Sequence, residues 1–144
     1  MAQVSFLACA LSFLLLVVPP VGTAEEVPRV KMPTSNPEVQ KAVALVVKSY
    51  NRHTGSEYYF KPQNILNSES QAVEGIKYFL TIVLAQTKCK KRKMYELQEA
   101  QLKKCKFFPE AKQKKHTCEF EVWMNEKQTS AGIQPWTRQS WRCP

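Results

Sequence analysis

One segment constrains the fold more than any other. "NPEVQKAVALVVKSYNRHTG" reads as an amphipathic helix. Asn36 is suited to accept from the orphan N–H groups at the start of a helix. Pro37 fits the first helical position, and Glu38 complements the positive end. Val39, Val43, Val46, Val47 and Tyr50 recur at near-helical spacing and form one apolar stripe. Gly55 is placed to stop the helix, so the segment is expected to run from Pro37 to His53. A single one-sided helix must lay its stripe on something flat.

The following residues supply that surface. "EYYFKPQNILN" (57–67) begins as an aromatic strand and is expected to break around Pro62. "IKYFLTIVLAQTKC" (76–89) is a long strand candidate. Its Ile76, Tyr78, Leu80, Ile82 and Leu84 fall on one face, and Lys77, Phe79, Thr81, Val83 and Ala85 on the other. The two strands flank 68–75 and are expected to form a hairpin whose tip lies within Gln71–Gly75. "KMYELQEAQLKK" (93–104) has room for a helical turn or two, and 106–117 is expected to be a loop. "CEFEVWM" (118–124) alternates as a strand, 125–136 reads as a turn-rich tip carrying Pro135 and Trp136, and "TRQSWRC" (137–143) returns as a last strand. Ahead of the helix, 25–35 reads as an extended arm, since Pro28 and Pro33 disfavour helix and central strand. The order implies an α+β domain, one helix on an antiparallel sheet.

The first 24 residues stand apart. "FLACALSFLLLVVPPVGTA" is apolar and uncharged and ends with Gly22 and Ala24 at positions suited to cleavage. It is expected to be a secretory signal, 1–24, followed by one domain over 25–144 and not by a membrane span. Beyond it lie Cys89, Cys105, Cys118 and Cys143. Four cysteines in an exported chain suggest two disulfides, and the residues alone leave three pairings open. Their spacing is not that of paired CxxC units, so no metal or other cofactor is expected.

The net charge of +9 comes from basic runs at "KCKKRK" (88–93), "KKCK" (103–106) and "KQKK" (112–115). Such a field favours heparin-like chains or anionic surfaces as partners. The chain shows no nucleic-acid-binding motif, and no nucleic-acid partner is expected. Enzymatic chemistry is not expected either. There is no aspartate, the only histidines are His53 at a helix end and His116 in a basic loop, and no nucleophile or phosphate-loop motif occurs. The exposed apolar candidates point to binding instead: Val73 in one tip, Trp136 after Pro135 near another, and the Val27–Pro28 arm beside them. Tips on a rigid sheet bind with little ordering cost.

Taken together, the helix, the Gln71-x-Val73-x-Gly75 pattern and the four ordered cysteines resemble the secreted type-2 cystatins, inhibitors of papain-like cysteine proteases. The stretch "QAVEGIKYFLTIVLAQTKC" is most similar to the cystatin E/M subgroup. The resemblance implies a five-stranded antiparallel sheet around the helix and the bridges Cys89–Cys105 and Cys118–Cys143. It also implies a three-part wedge that fills a cathepsin-type cleft reversibly and without covalent chemistry. Its parts would be the arm at Val27 and Pro28, the first loop of Gln71, Ala72, Val73, Glu74 and Gly75, and a second tip with Pro135 and Trp136. The sequence departs from the family in two parts of the wedge. Val27 and Pro28 stand where the arm normally has a flexible glycine, and Glu126 and Lys127 stand where the Pro-Trp pair normally falls, about nine residues before Pro135. At Gly55 the family's legumain-contacting asparagine is missing, so legumain inhibition is not expected. The resemblance further allows a domain-swapped dimer beside the monomer.

Overall fold

The computed structural model describes residues 16–20, 22 and 25–144, with backbone alone at 127–129 and 134. Most of the expected signal over 1–24 lies outside the described residues. Helix α1 spans Pro37–His53. The Asn36 side chain accepts from the N–H groups of Glu38 and Val39 at 2.9 and 3.4 Å. The far end closes differently from expectation. Thr54 turns into extended backbone (φ −77°, ψ 139°), its N–H bonds to the Tyr50 carbonyl, and Gly55 does not adopt the left-handed conformation. Satisfaction of the last carbonyls comes from a distance: Lys91 donates to the carbonyls of Asn51 (2.6 Å) and Thr54 (3.1 Å). A cation there also complements the negative helix end. Burial pushes the Lys91 pKa down.

Five strands follow the chain order β1 to β5, every neighbouring pair antiparallel. They are β1 (Val30–Lys31), β2 (Tyr58–Val73), β3 (Gly75–Lys90), β4 (Lys115–Thr129) and β5 (Gly132–Arg142). The arm thus contributes a strand, β1, which pairs only with Ser70 and Glu69 of β2. That short reach explains why Pro62 does not end β2 as expected. At Pro62 the strand is an edge, where a missing N–H is tolerated, and a register shift between Pro62 and Asn64 absorbs the irregularity. β4 also begins earlier than expected, at Lys115, which moves His116 from a loop onto a strand with its ring 5.4 Å from that of Phe60.

The stripe of α1 packs on one face of the sheet. Val39, Val43, Val46, Val47 and Tyr50 form one buried cluster with Phe60, Tyr78, Leu80, Ile82, Leu84, Phe120 and Val122. Each such side chain contributes roughly 1.5–3 kcal/mol on burial. Tyr50 meets Phe60 and Phe120 edge-on at 5.5 and 6.5 Å. Asn51 fixes the helix to the sheet: its amide donates to the Phe60 carbonyl and its oxygen accepts from the Phe60 N–H, both at 2.8 Å. The other face of β3 is not left open. Phe79 is buried there under the Arg29 guanidinium, 3.5 Å from the ring centre, so the arm crosses the outer surface.

Disulfides join Cys89 to Cys105 and Cys118 to Cys143. The segment inside the first bridge holds a short helix, α2 (Glu99–Lys103). It is tied down by a two-point Arg52–Glu96 pair at 2.8 Å, by Leu97 N–H donating to the Tyr59 hydroxyl at 3.2 Å, and by Lys61 donating to the carbonyls of Lys103 and Cys105. The expected loop after Cys105 is braced by a bridge between Phe107 and Thr87 and by a short 3-10 turn over Glu110–Lys112. Among the described residues, no helix is long and apolar enough to cross a membrane.

Candidate functional site

The site is built at the end of the sheet where β2 becomes β3. The ladder continues through Gln71 opposite Lys77, Ala72 opposite Ile76 and Val73 opposite Gly75, so Glu74 alone makes the turn. Gly75 is required twice over. Its φ is +90°, and a Cβ there would stand 2.3 Å from the Met124 carbonyl oxygen and 2.8 Å from the Asn125 Cβ. The tight turn leaves Val73 40 % exposed, and Ile76 behind it 44 %.

Two hydrogen bonds hold other parts of the molecule to this tip. Gln71 Nε2 donates to the Val27 carbonyl at 2.6 Å, which fastens the arm alongside β2. Trp123 Nε1 donates to the Glu74 carbonyl at 2.6 Å, which ties the turn to β4. The Trp136 ring then meets the Trp123 ring edge-on at 4.9 Å, and Arg138 lies 5.7 Å from the Trp123 centroid. Arm, first tip and Trp136 therefore form one continuous edge.

The second hairpin differs from expectation. Residues 125–129 and 132–136 are paired strand, and the turn is confined to Ser130 and Ala131. Pro135 and Trp136 do not form a tip: they lie on β5 opposite Glu126 and Asn125. Asn125 also packs against Gly75, so the pair stands level with the first tip, while β4 and β5 run on past it to Thr129 and Gly132. Trp136 belongs to the outer face, half-buried, and not to the core.

Trp123 was not singled out by sequence reasoning. Its only signal is a tryptophan alternating with Glu119 and Glu121 on the face opposite Phe120 and Val122. Those glutamates pair with cations, Glu121 with Lys77 at 2.9 Å and Glu119 with Arg142 at 2.6 Å. His53 bonds to the Ser49 carbonyl and abuts Trp141. Among the described residues no group of side chains is placed to hold a metal ion.

This arrangement, one helix packed on an antiparallel meander whose arm, first tip and Trp136 share one edge, defines a protein class by its fold. The cystatin domain model matches residues 30–128. A cystatin of Bitis arietans is 38 % identical over 89 residues, covering 62 % of this chain and 80 % of that one. A cystatin of Micropechis ikaheca is 39 % identical over 89 residues, covering 62 % of this chain and 63 % of that one. The fold matches that of dimeric human cystatin F with TM-score 0.64 at 23 % identity, over 85 % of this chain and 90 % of that one. A salivary cystatin from the soft tick Ornithodoros moubata matches with TM-score 0.57 at 20 % identity, over 82 % and 97 %. The chain belongs to the cystatin family, and so to the protease-inhibitor type of protein and not to the enzymes.

Proposed function

We propose that the chain is a secreted, reversible, non-covalent inhibitor of papain-like cysteine proteases of the cathepsin type. The observation that carries the reading is the pair of bonds Gln71–Val27 and Trp123–Glu74, which gather the arm, the Gln71–Gly75 tip and the Trp136 region into one edge. Val73 at the apex offers apolar area to a cleft, and the rigid turn around Gly75 carries little ordering cost on binding. Pro135 and Trp136 add a stiff apolar contact beside it. Because Glu74 sits in a closed turn, the backbone does not present an extended scissile segment, so the wedge blocks without being cut. The first hairpin is read as E/M-like.

On this reading residues 1–24 are removed on export and the inhibitor begins at Glu25. Among the described residues, the core cluster and its packed shell lie between Met32 and Cys143, so that chain retains them. It acts as a monomer, since a domain-swapped dimer would consume the first tip. Legumain is not a target. Gly55 offers no side chain after α1, and Asn51 is buried in its clamp on Phe60. Titrating papain with the disulfide-bonded monomer from Glu25 tests the proposal. One-to-one inhibition relieved on dilution is expected, and undiminished papain activity at saturating inhibitor overturns it.

A further inference from the structure

The opposite end of β3 carries a second unassigned surface. Cys89 and Cys105 are bonded with their Cα atoms 5.8 Å apart, which joins two basic runs distant in sequence. The Lys88 N–H donates to the Lys106 carbonyl at 2.8 Å, which joins them a second time. Lys88, Lys90, Arg92, Lys93, Lys104 and Lys106 are all exposed here. None of these six side chains has an ion pair or hydrogen bond. Elsewhere the cations are largely matched, as in Lys41–Glu38, Lys77–Glu121 and Arg142–Glu119. The nearby carboxylates do not compensate. Glu96 is taken by Arg52 and Glu99 by Lys103, which leaves Glu57, next to Lys91 through its carbonyl.

A second feature coincides with the charge. Arg92 and Tyr95 close a tight turn, with the Tyr95 hydroxyl bonded to Gln101 at 2.8 Å. Met94 projects from that turn 98 % exposed, the most exposed large hydrophobic among the described residues. A sulfated polysaccharide would use the cations and gain nothing from Met94. A bilayer surface uses both, since cations bind anionic headgroups and an unbranched thioether enters the interface.

We propose that this end docks on membranes rich in anionic phospholipid, with Met94 inserted at the interface and the six cations on headgroups. β3 separates this end from the first tip by about 50 Å of strand at the usual rise per residue. A docked molecule therefore presents its inhibitory edge away from the bilayer.

Co-sedimentation of the disulfide-bonded chain from Glu25 with phosphatidylcholine vesicles, with and without phosphatidylserine, tests this. Binding is expected only where phosphatidylserine is present, and it should weaken steeply with salt. Met94→Ser should lower partitioning about tenfold. Arg92→Ser with Lys93→Ser should lower it about thirtyfold at low salt. Heparin-column retention relative to a control of equal net charge should be the same for Met94→Ser and the parent chain. Equal binding to pure phosphatidylcholine overturns the proposal, as does partitioning indifferent to Met94→Ser. Retention on heparin without any vesicle binding also overturns it and assigns the surface to a sulfated polysaccharide.

Discussion

The two long hairpins of this sheet turn in opposite styles. β2 and β3 reverse through Glu74 alone, against β4, with Gly75 pressed on Met124 and Asn125. β4 and β5 continue beyond that level and reverse at Ser130 and Ala131, where a Cβ on Gly132 would meet nothing within 4 Å. Both turns use a glycine at positive φ, +90° and +112°. The first packs against β4 and holds a hydrogen bond from Trp123 to the Glu74 carbonyl. A preorganised apex suits recognition, because little ordering is left to do on binding. On the proposed function, recognition lies at the first tip and at Trp136 level with it, and not at the distal turn.

The sharpest way to break this comparison is to add the same methyl group to both turns. The backbone penalty of a non-glycine residue at positive φ, about 1–2 kcal/mol, is common to Gly75→Ala and Gly132→Ala. The clash with the Met124 carbonyl belongs to Gly75→Ala alone. Urea unfolding should show Gly75→Ala losing about 2 kcal/mol more than Gly132→Ala. Papain inhibition should fall more than about 100-fold for the first and stay unchanged for the second. Equal losses at both positions would show that enclosure of the first tip is irrelevant.

Trp123→Phe keeps a ring beside Trp136 and removes the donor to Glu74. A hydrogen bond of this kind contributes about 0.5–1.5 kcal/mol, so stability should fall by about that much and inhibition should weaken up to about tenfold. Unaltered inhibition would mean that β4 does not support the apex. The smallest effect is expected at the arm. Gln71→Leu frees the Val27 carbonyl from its partner, and the papain inhibition constant should rise about threefold. Removing residues 25–29 should then make Gln71→Leu silent. A threefold effect that survives truncation would place the role of Gln71 in direct protease contact instead.

The elements that local rules govern were legible in the sequence. Asn36, Pro37 and the valine stripe delimit α1, and the alternation over 76–84 assigns β3 its core face. The position of the first tip follows from the two apolar runs around it. What was not legible depends on partners far along the chain. Gly55 looked like the helix stop because the remote cap, Lys91, is 40 residues from Asn51. Pro62 looked like a strand end because edge status depends on how far β1 reaches. The turn-rich composition of 125–136 concealed a paired ladder, so Pro135 and Trp136 were expected at a tip and lie on a strand. Trp123 acts through a bond to Glu74, 49 residues away, and nothing in its own neighbourhood announces it.

The most direct measurement places one negative charge at each apex. Papain inhibition constants for Val73→Asp and Ala131→Asp, taken beside the parent chain at the same salt, separate the two tips. A loss of about 100-fold at Val73, with no change at Ala131, is the expected result. A comparable loss at Ala131, or none at Val73, would contradict the assignment of recognition to the first tip.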